Sequence, residues 1–292
     1  MTMPKVALPF HPNPKKPDLL LPTGACDAHC HVFGPAARFP FASTSTYTPV
    51  DAPKEKLFEL HNHLGFDRSV IVQASCHGTD NSAMVDALIA GGSRYRGIAM
   101  VEREVSEAEL QRLHDAGVRG VRFNFVTHLG APADYDAIRE IVEKIRPLGW
   151  HAVVHFDAFR LEELAPFLRE LNLMLVIDHM GRVDAGAGPD QPAFRLLQEL
   201  LEDDRFWVKV SGSERLSRTG PPFEDAAQYG RLLVERFPDR VLWGTDWPHP
   251  NIYQNMPDDG ALVDLLQIIA PEPQRLQALL VDNPTRLYWP PA

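Results

Sequence analysis

Beyond a proline-rich start, the chain alternates short β-branched runs with longer stretches whose apolar residues recur at i, i+3, i+4 and i+7. The short runs predict strands over 25–33, 69–75, 96–101, 117–125, 151–156, 173–180, 206–212 and 239–247. Between them, EAELQRLHDAG, DYDAIREIVEKIRPLG, LEELAPFLREL and AFRLLQELLED carry helical spacing, and several stop at Gly or against the next strand. Eight strand–helix units in 292 residues predict an α/β protein, a (β/α)8 TIM barrel rather than a doubly wound sheet. No Gly-x-Gly-x-x-Gly follows an early strand, so a dinucleotide fold is not expected. The unit lengths are too uneven for a solenoid. Residues 1–22 hold six prolines and read as an extended arm, leaving 23–292 as a single barrel domain. The longest connection, 34–68, contains RFPFASTSTYTPVDAP, a segment long enough to fold over the barrel mouth.

Polar residues gather at the strand ends. The first strand carries Asp27-Ala28-His29-Cys30-His31, and strand parity puts Asp27, His29 and His31 on one face, with Cys26, Ala28 and Cys30 on the other. Later strand ends add Ser75 and His77, Arg122 and Asn124, His155, His179, Lys209 or Ser211, and Asp246 with His249. One such residue is ordinarily a hydrogen-bonded strand cap. So many on one rim point to an active site, which in this fold lies at the C-terminal ends of the strands. The imidazoles His29, His31, His155 and His179 with the Asp246 carboxylate suit one Zn²⁺ or Mn²⁺. GVRGVRFNF contains no lysine that could bridge two ions as a carbamate, which favours one metal over two. Cys26 and Cys30 read as packing thiols turned towards the helices, and Cys76 likewise as no ligand. His61 and His63 read as surface residues of a helix, and His11, His114 and His151 have no assigned role.

Charge narrows the partners. A formal net charge of −10 argues against nucleic acid or an anionic membrane surface. Three unevenly spaced cysteines make no disulfide framework, and the N-terminal segment lacks the apolar core of a signal peptide; a cytoplasmic enzyme is expected. No apolar run approaches a membrane span, and a homo-oligomer remains open.

Taken together, DAHCHVFGP, VIVQASCHGTDN, GVRGVRFNF, VVHFD, VIDHMGR, WGTDWPHPN and NPTRLYW resemble the amidohydrolase superfamily, within it the 2-pyrone-4,6-dicarboxylate lactonase-like branch, from about residue 25 to 289. The resemblance implies that Asp246 is the general base that activates water. It implies that His29, His31 and His179 polarise the scissile carbonyl or hold a metal. Ser75, His77, Arg122, Arg182 and Arg215 would grip substrate carboxylates, and His249 joins them. Two positions depart from the branch. Thr127-His128 replaces a Lys-Arg pair, leaving His128 as the substrate-binding candidate there; His155 replaces a tyrosine and restores the fifth ligand of metal-dependent relatives. The expected activity is opening of a carboxylated lactone, 2-pyrone-4,6-dicarboxylate or a muconolactone-type acid, in bacterial aromatic catabolism, with a divalent metal or without one. The alternative is a metal-dependent decarboxylase of the same superfamily, acting on an aromatic or enoic acid.

Overall fold

Parallel strands joined by helices must be covered on both faces, and the strand sequences are apolar on both. The computed structural model describes residues 7–127 and 134–290. Its strands are β1 (Cys26–Cys30), β2 (Arg68–Val72), β3 (Tyr95–Ala99), β4 (Val118–Phe125), β5 (His151–Phe156), β6 (Leu175–Ile177), β7 (Phe206–Lys209) and β8 (Val241–Leu242). They pair in parallel, in sequence order, as the predicted barrel requires. Inside lie Cys26, Ala28, Val70, Val72, Ile98, Val153, Val176, Trp207 and Leu242, with Tyr288 buried among them. The larger apolar layer fills the space between strands and helices. The helix Tyr135–Ile145 shows how that layer forms. Ile138, Ile141, Val142 and Ile145 make one buried stripe, and the Asp134 carboxylate caps the first turn by accepting from the Asp136 and Ala137 amides.

The barrel closes through β1 and the segment that follows β8. Ala28 N donates to Trp243 O at 2.8 Å, Asp246 N to His29 O at 2.7 Å, and His31 N to Trp247 O at 2.7 Å. Asp27 ties the same seam from outside. Its Oδ1 accepts from His29 N at 3.1 Å and Thr245 N at 3.0 Å. Its Oδ2 accepts from Thr245 Oγ1 at 2.6 Å and faces His61 Nε2 at 3.2 Å.

Several expectations need correction. The register shifts between Asp27 and Cys30, so strict alternation fails within β1. Cys26 therefore joins Ala28 in the barrel interior, Cys30 packs in the outer layer, and Asp27 points away from the mouth that His29 and His31 reach. His61 is a buried residue, 1% exposed, because it meets that outward carboxylate. The runs 173–180 and 239–247 are strand only as far as Ile177 and Leu242. Beyond those points the backbone leaves the ladder for left-handed turns, with φ of 48° at His179 and 63° at Asp246. The arm, from residue 7, lies on the barrel: Leu8 N donates to Ile252 O at 2.9 Å, and Lys15 pairs with Asp264 at 2.6 Å. Among the described residues no helix is long and apolar enough to cross a membrane.

The seam leaves no room for a side chain at Gly244. A Cβ there would sit 2.3 Å from His29 N and 2.7 Å from Asp27 Oδ1. Gly244→Ala is expected to destabilise the protein by ~1–3 kcal/mol through overpacking against backbone that cannot yield. A thermal melt that matched the unaltered protein would contradict this account of the seam.

Candidate active site

At the mouth, side chains from β1, β4, β5 and the turns after β2, β6, β7 and β8 line one cavity of about 360 Å³. His31 is oriented by its Nδ1–H, which donates to Val72 O at 2.8 Å. Its Nε2 lies 3.1 Å from Asp246 Oδ1, within hydrogen-bond distance. His179 stands on a left-handed turn, and its Nδ1 lies 3.1 Å from Ser211 Oγ, its Nε2 3.7 Å from Asp246 Oδ2. That ring fits because residue 212 is glycine: a Cβ there would lie 2.8 Å from His179 Nδ1. His29 sits deeper, its Nδ1 2.9 Å from Lys209 Nζ and 3.2 Å from Asp178 Oδ1. Its Nε2 is 3.5 Å from Asp246 Oδ1 and makes no hydrogen bond. His155 spends Nδ1 on Asn124 Oδ1 at 3.3 Å and leaves Nε2 buried without a partner.

Burial and neighbouring charge set the protonation states. Desolvation, reinforced by Lys209 at His29 and by Arg122 at His155, pushes these two imidazoles well below their ordinary pKa. Burial also takes His179 down to about 4. All three are neutral near pH 7 and keep a lone pair. Burial alone would raise Asp246, but the Arg215 guanidinium outweighs it and holds the carboxyl well below the usual range. The chief partner is Arg215, whose Nε donates to Asp246 Oδ2 at 2.5 Å and whose Nη1 donates to Pro250 O at 3.0 Å. The Nη2 of Arg215 is buried and has no acceptor. Asp178 is held ionised against burial by Lys209 at 3.1 Å and by Arg122, whose Nη2 is 2.9 Å away.

The structure brings most of the sequence-predicted residues together. His31, Ser75, Arg122, His155, His179, Arg182, Arg215 and Asp246 line the cavity, with His29 behind them. His77 departs from expectation. Its Nδ1–H donates to Pro40 O at 3.2 Å and its Nε2 accepts from Gly34 N at 3.1 Å, so both nitrogens serve the 34–68 connection outside the cavity wall. His249 is also spent elsewhere, fully buried with its Nε2 3.0 Å from Asp259 Oδ1. His128 lies outside the described residues. Sequence reasoning passed over Asp178 and Tyr47. Asp178 follows Ile177 on the inward parity of β6, a usable signal; Tyr47 lines the cavity from an aperiodic loop that offers none.

The donor atoms of His29, His179 and Asp246 lie within 4.8 Å of one another, close enough to hold one metal ion. His31 and His155 are outside that group. The chemistry of the set fits a divalent cation: neutral imidazoles at His29 and His179, an unpartnered His29 Nε2 and the Asp246 carboxylate. Arg215 and Lys209 add positive charge beside it, and Asp246 and Asp178 offset them.

The amidohydrolase family profile matches residues 26–289, from the first strand to the end of the last helix. A 2-pyrone-4,6-dicarboxylate hydrolase of Comamonas testosteroni is 54% identical, the match covering 97% of this chain and 96% of that one. A 4-sulfomuconolactone hydrolase of Rhizobium radiobacter is 40% identical over 92% of this chain and 91% of its own. A crystal structure of a probable 2-pyrone-4,6-dicarboxylic acid hydrolase from Acinetobacter baumannii, holding citric acid, superposes with a TM-score of 0.81 at 30% identity, covering 91% of this chain and all of that one. Strand order, the polar rim and the extent of these matches agree, and the chain belongs to the amidohydrolase family, among its lactone hydrolases.

Proposed function

We propose that the chain opens a single-ring lactone bearing carboxylates, 2-pyrone-4,6-dicarboxylate or a related muconolactone-type acid, as a step in aromatic catabolism. The observation that carries this reading is the meeting of Asp246 with the guanidinium groups of Arg122, Arg182 and Arg215 in one cavity of about 360 Å³. That size suits one small ring. Guanidinium groups bind carboxylates through paired charge-assisted hydrogen bonds, which explains three of them in a chain of net charge −10. The citric acid in the Acinetobacter baumannii relative, a tricarboxylate, supports the same substrate class.

In this reading Asp246 takes a proton as the water oxygen adds to the ring carbonyl carbon, whose π electrons move onto oxygen. Collapse of the tetrahedral adduct breaks the ring C–O bond. The leaving oxygen takes the proton from Asp246, and the ring-opened acid results. His31 and His179 flank the carboxylate and orient the water and the carbonyl. Neutral imidazoles at His29 and His179 favour one Zn²⁺ or Mn²⁺ on His29, His179 and Asp246, with His31 and His155 as further ligand candidates. Such an ion would supply Lewis-acid polarisation of the carbonyl and a more acidic water.

Asp246→Asn is expected to fold normally and to lower turnover of 2-pyrone-4,6-dicarboxylate by about 10²–10⁴-fold, the contribution of a positioned base. Turnover near that of the unaltered enzyme, followed by loss of pyrone absorbance, would remove Asp246 from its role. Products matter too, because CO2 release in place of ring-opened acid would point to a decarboxylase.

Arg182 is tied by one carboxylate, with its Nε 3.2 Å from Asp157 Oδ1, and faces the cavity with its remaining donors. Arg182→Met is expected to raise KM for the dicarboxylate by roughly tenfold or more, a lost charged contact of about 1.5–3 kcal/mol. An uncharged lactone should show no such difference; an unchanged KM for both would end the anion-grip reading.

Elemental analysis tests the ion. About one equivalent of Zn or Mn is expected, removable by chelator with loss of activity and restored on adding metal. Full activity in metal-stripped protein would leave a metal-free hydrolase.

A further inference from the structure

Behind the barrel wall, the helix Lys54–Leu64 buries a histidine against β1, where an amphipathic helix ordinarily places an aliphatic side chain. His61 Nε2 lies 3.2 Å from Asp27 Oδ2, and His61 Nδ1 lies 2.9 Å from the Tyr95 hydroxyl. An ionised carboxylate only accepts, so Nε2 carries the hydrogen and Nδ1 accepts from Tyr95 O–H. Asp27, Cys30 and His61 also have donor atoms close enough for a metal ion. The hydrogen bonds speak against one. Both Asp27 oxygens are already filled, Cys30 Sγ is 3.1 Å from Ser69 Oγ, and none of the three residues has an unpartnered polar atom. The active-site histidines differ in this respect, since His29 and His155 each keep a free Nε2.

We propose that His61 is a positioning residue for lactone hydrolysis, acting through Asp27 to hold the turn that carries Asp246 and the backbone of His29. This rests on the reading of Asp246 as the base. Asp246 has a φ of 63°, which a non-glycine residue keeps only when its surroundings fix it. Both of its chain neighbours are fixed from one carboxylate. Thr245 gives Asp27 its amide and its hydroxyl, and the same hydroxyl accepts from Trp247 N at 3.1 Å. His29 N donates to Oδ1 of that carboxylate, the oxygen that also accepts from Thr245 N. His61, braced by Tyr95 on β3, adds the fourth donor to that carboxylate and holds its Oδ2 from the helix side. A shift of about 1 Å in Asp246 is enough to cost roughly 100-fold in rate.

The test compares His61→Leu with His61→Gln, whose amide can donate to Asp27 and accept from Tyr95. With the dicarboxylate, the leucine variant is expected to lose about 10–100-fold in kcat while KM stays within about twofold, because the three guanidinium groups are untouched. The glutamine variant should recover most of that loss. The His29 and His31 ring signals in NMR spectra should move in the leucine variant and return in the glutamine one. The inference is overturned if the leucine variant keeps its kcat and loses only thermal stability. It is overturned equally if glutamine rescues nothing, or if the ring signals stay put. Should His61→Leu fail to fold, Tyr95→Phe decides: the proposal requires displaced ring signals and a kcat lowered by about threefold or more, and unaltered values reject it. If the unaltered protein opens no lactone, the activity reading fails on its own, and the ring signals still decide the role of His61.

Discussion

A single buried carboxylate, Asp27, closes the barrel. Between β8 and β1 the ladder is short, because β8 leaves regular strand geometry after Leu242. Asp27 compensates by accepting from backbone and side-chain donors on both sides of the seam. Burying a carboxylate is unfavourable unless its lone pairs are satisfied, and here each oxygen meets two donors. Everything the site needs from β1 and β8 depends on that arrangement: the spacing of His29 and His31 from Asp246, and the turn that presents Asp246 to the cavity.

Charge in the site is arranged in alternating signs. Arg215 lies on Asp246, and Lys209 and Arg122 lie on Asp178. Each buried acid is kept ionised by a base, while the imidazoles between them stay neutral through burial. The result is a set of lone pairs held among fixed, paired charges at the mouth. Such a site can stabilise negative charge that develops during reaction without rearranging.

Much of this was legible in the sequence, for identifiable reasons. The barrel follows from apolar periodicity repeated through eight units, a signal each unit carries independently. The cavity-lining set from His31 to Asp246 follows because strand ends in this fold converge on one rim. Failures occur where strict alternation breaks. The register shift in β1 inverts the side of Asp27 and Cys26, and with it the reading of His61 as a surface residue. His77 and His249 carry the right chemistry, yet nearby backbone and Asp259 absorb it, and sequence spacing does not report such competition. Left-handed turns at His179 and Asp246 are equally silent, since Asp and His, though enriched at positive φ, adopt it too seldom for the residue type to signal it.

The cavity wall has two origins. Asp246, His179 and the arginines belong to the barrel and its turns, whereas Thr46 and Tyr47 come from the long connection between β1 and the first helix. Within that connection Phe33 bridges Ala52, and His77 and Cys76 bind it to the turn after β2. Part of the cavity wall thus comes from a stretch of chain apart from the barrel turns that carry Asp246 and His179. Replacing the connection would redraw the shape offered to a substrate and leave the seam and the ladder unaltered, so descendants of this scaffold can change diet without refolding.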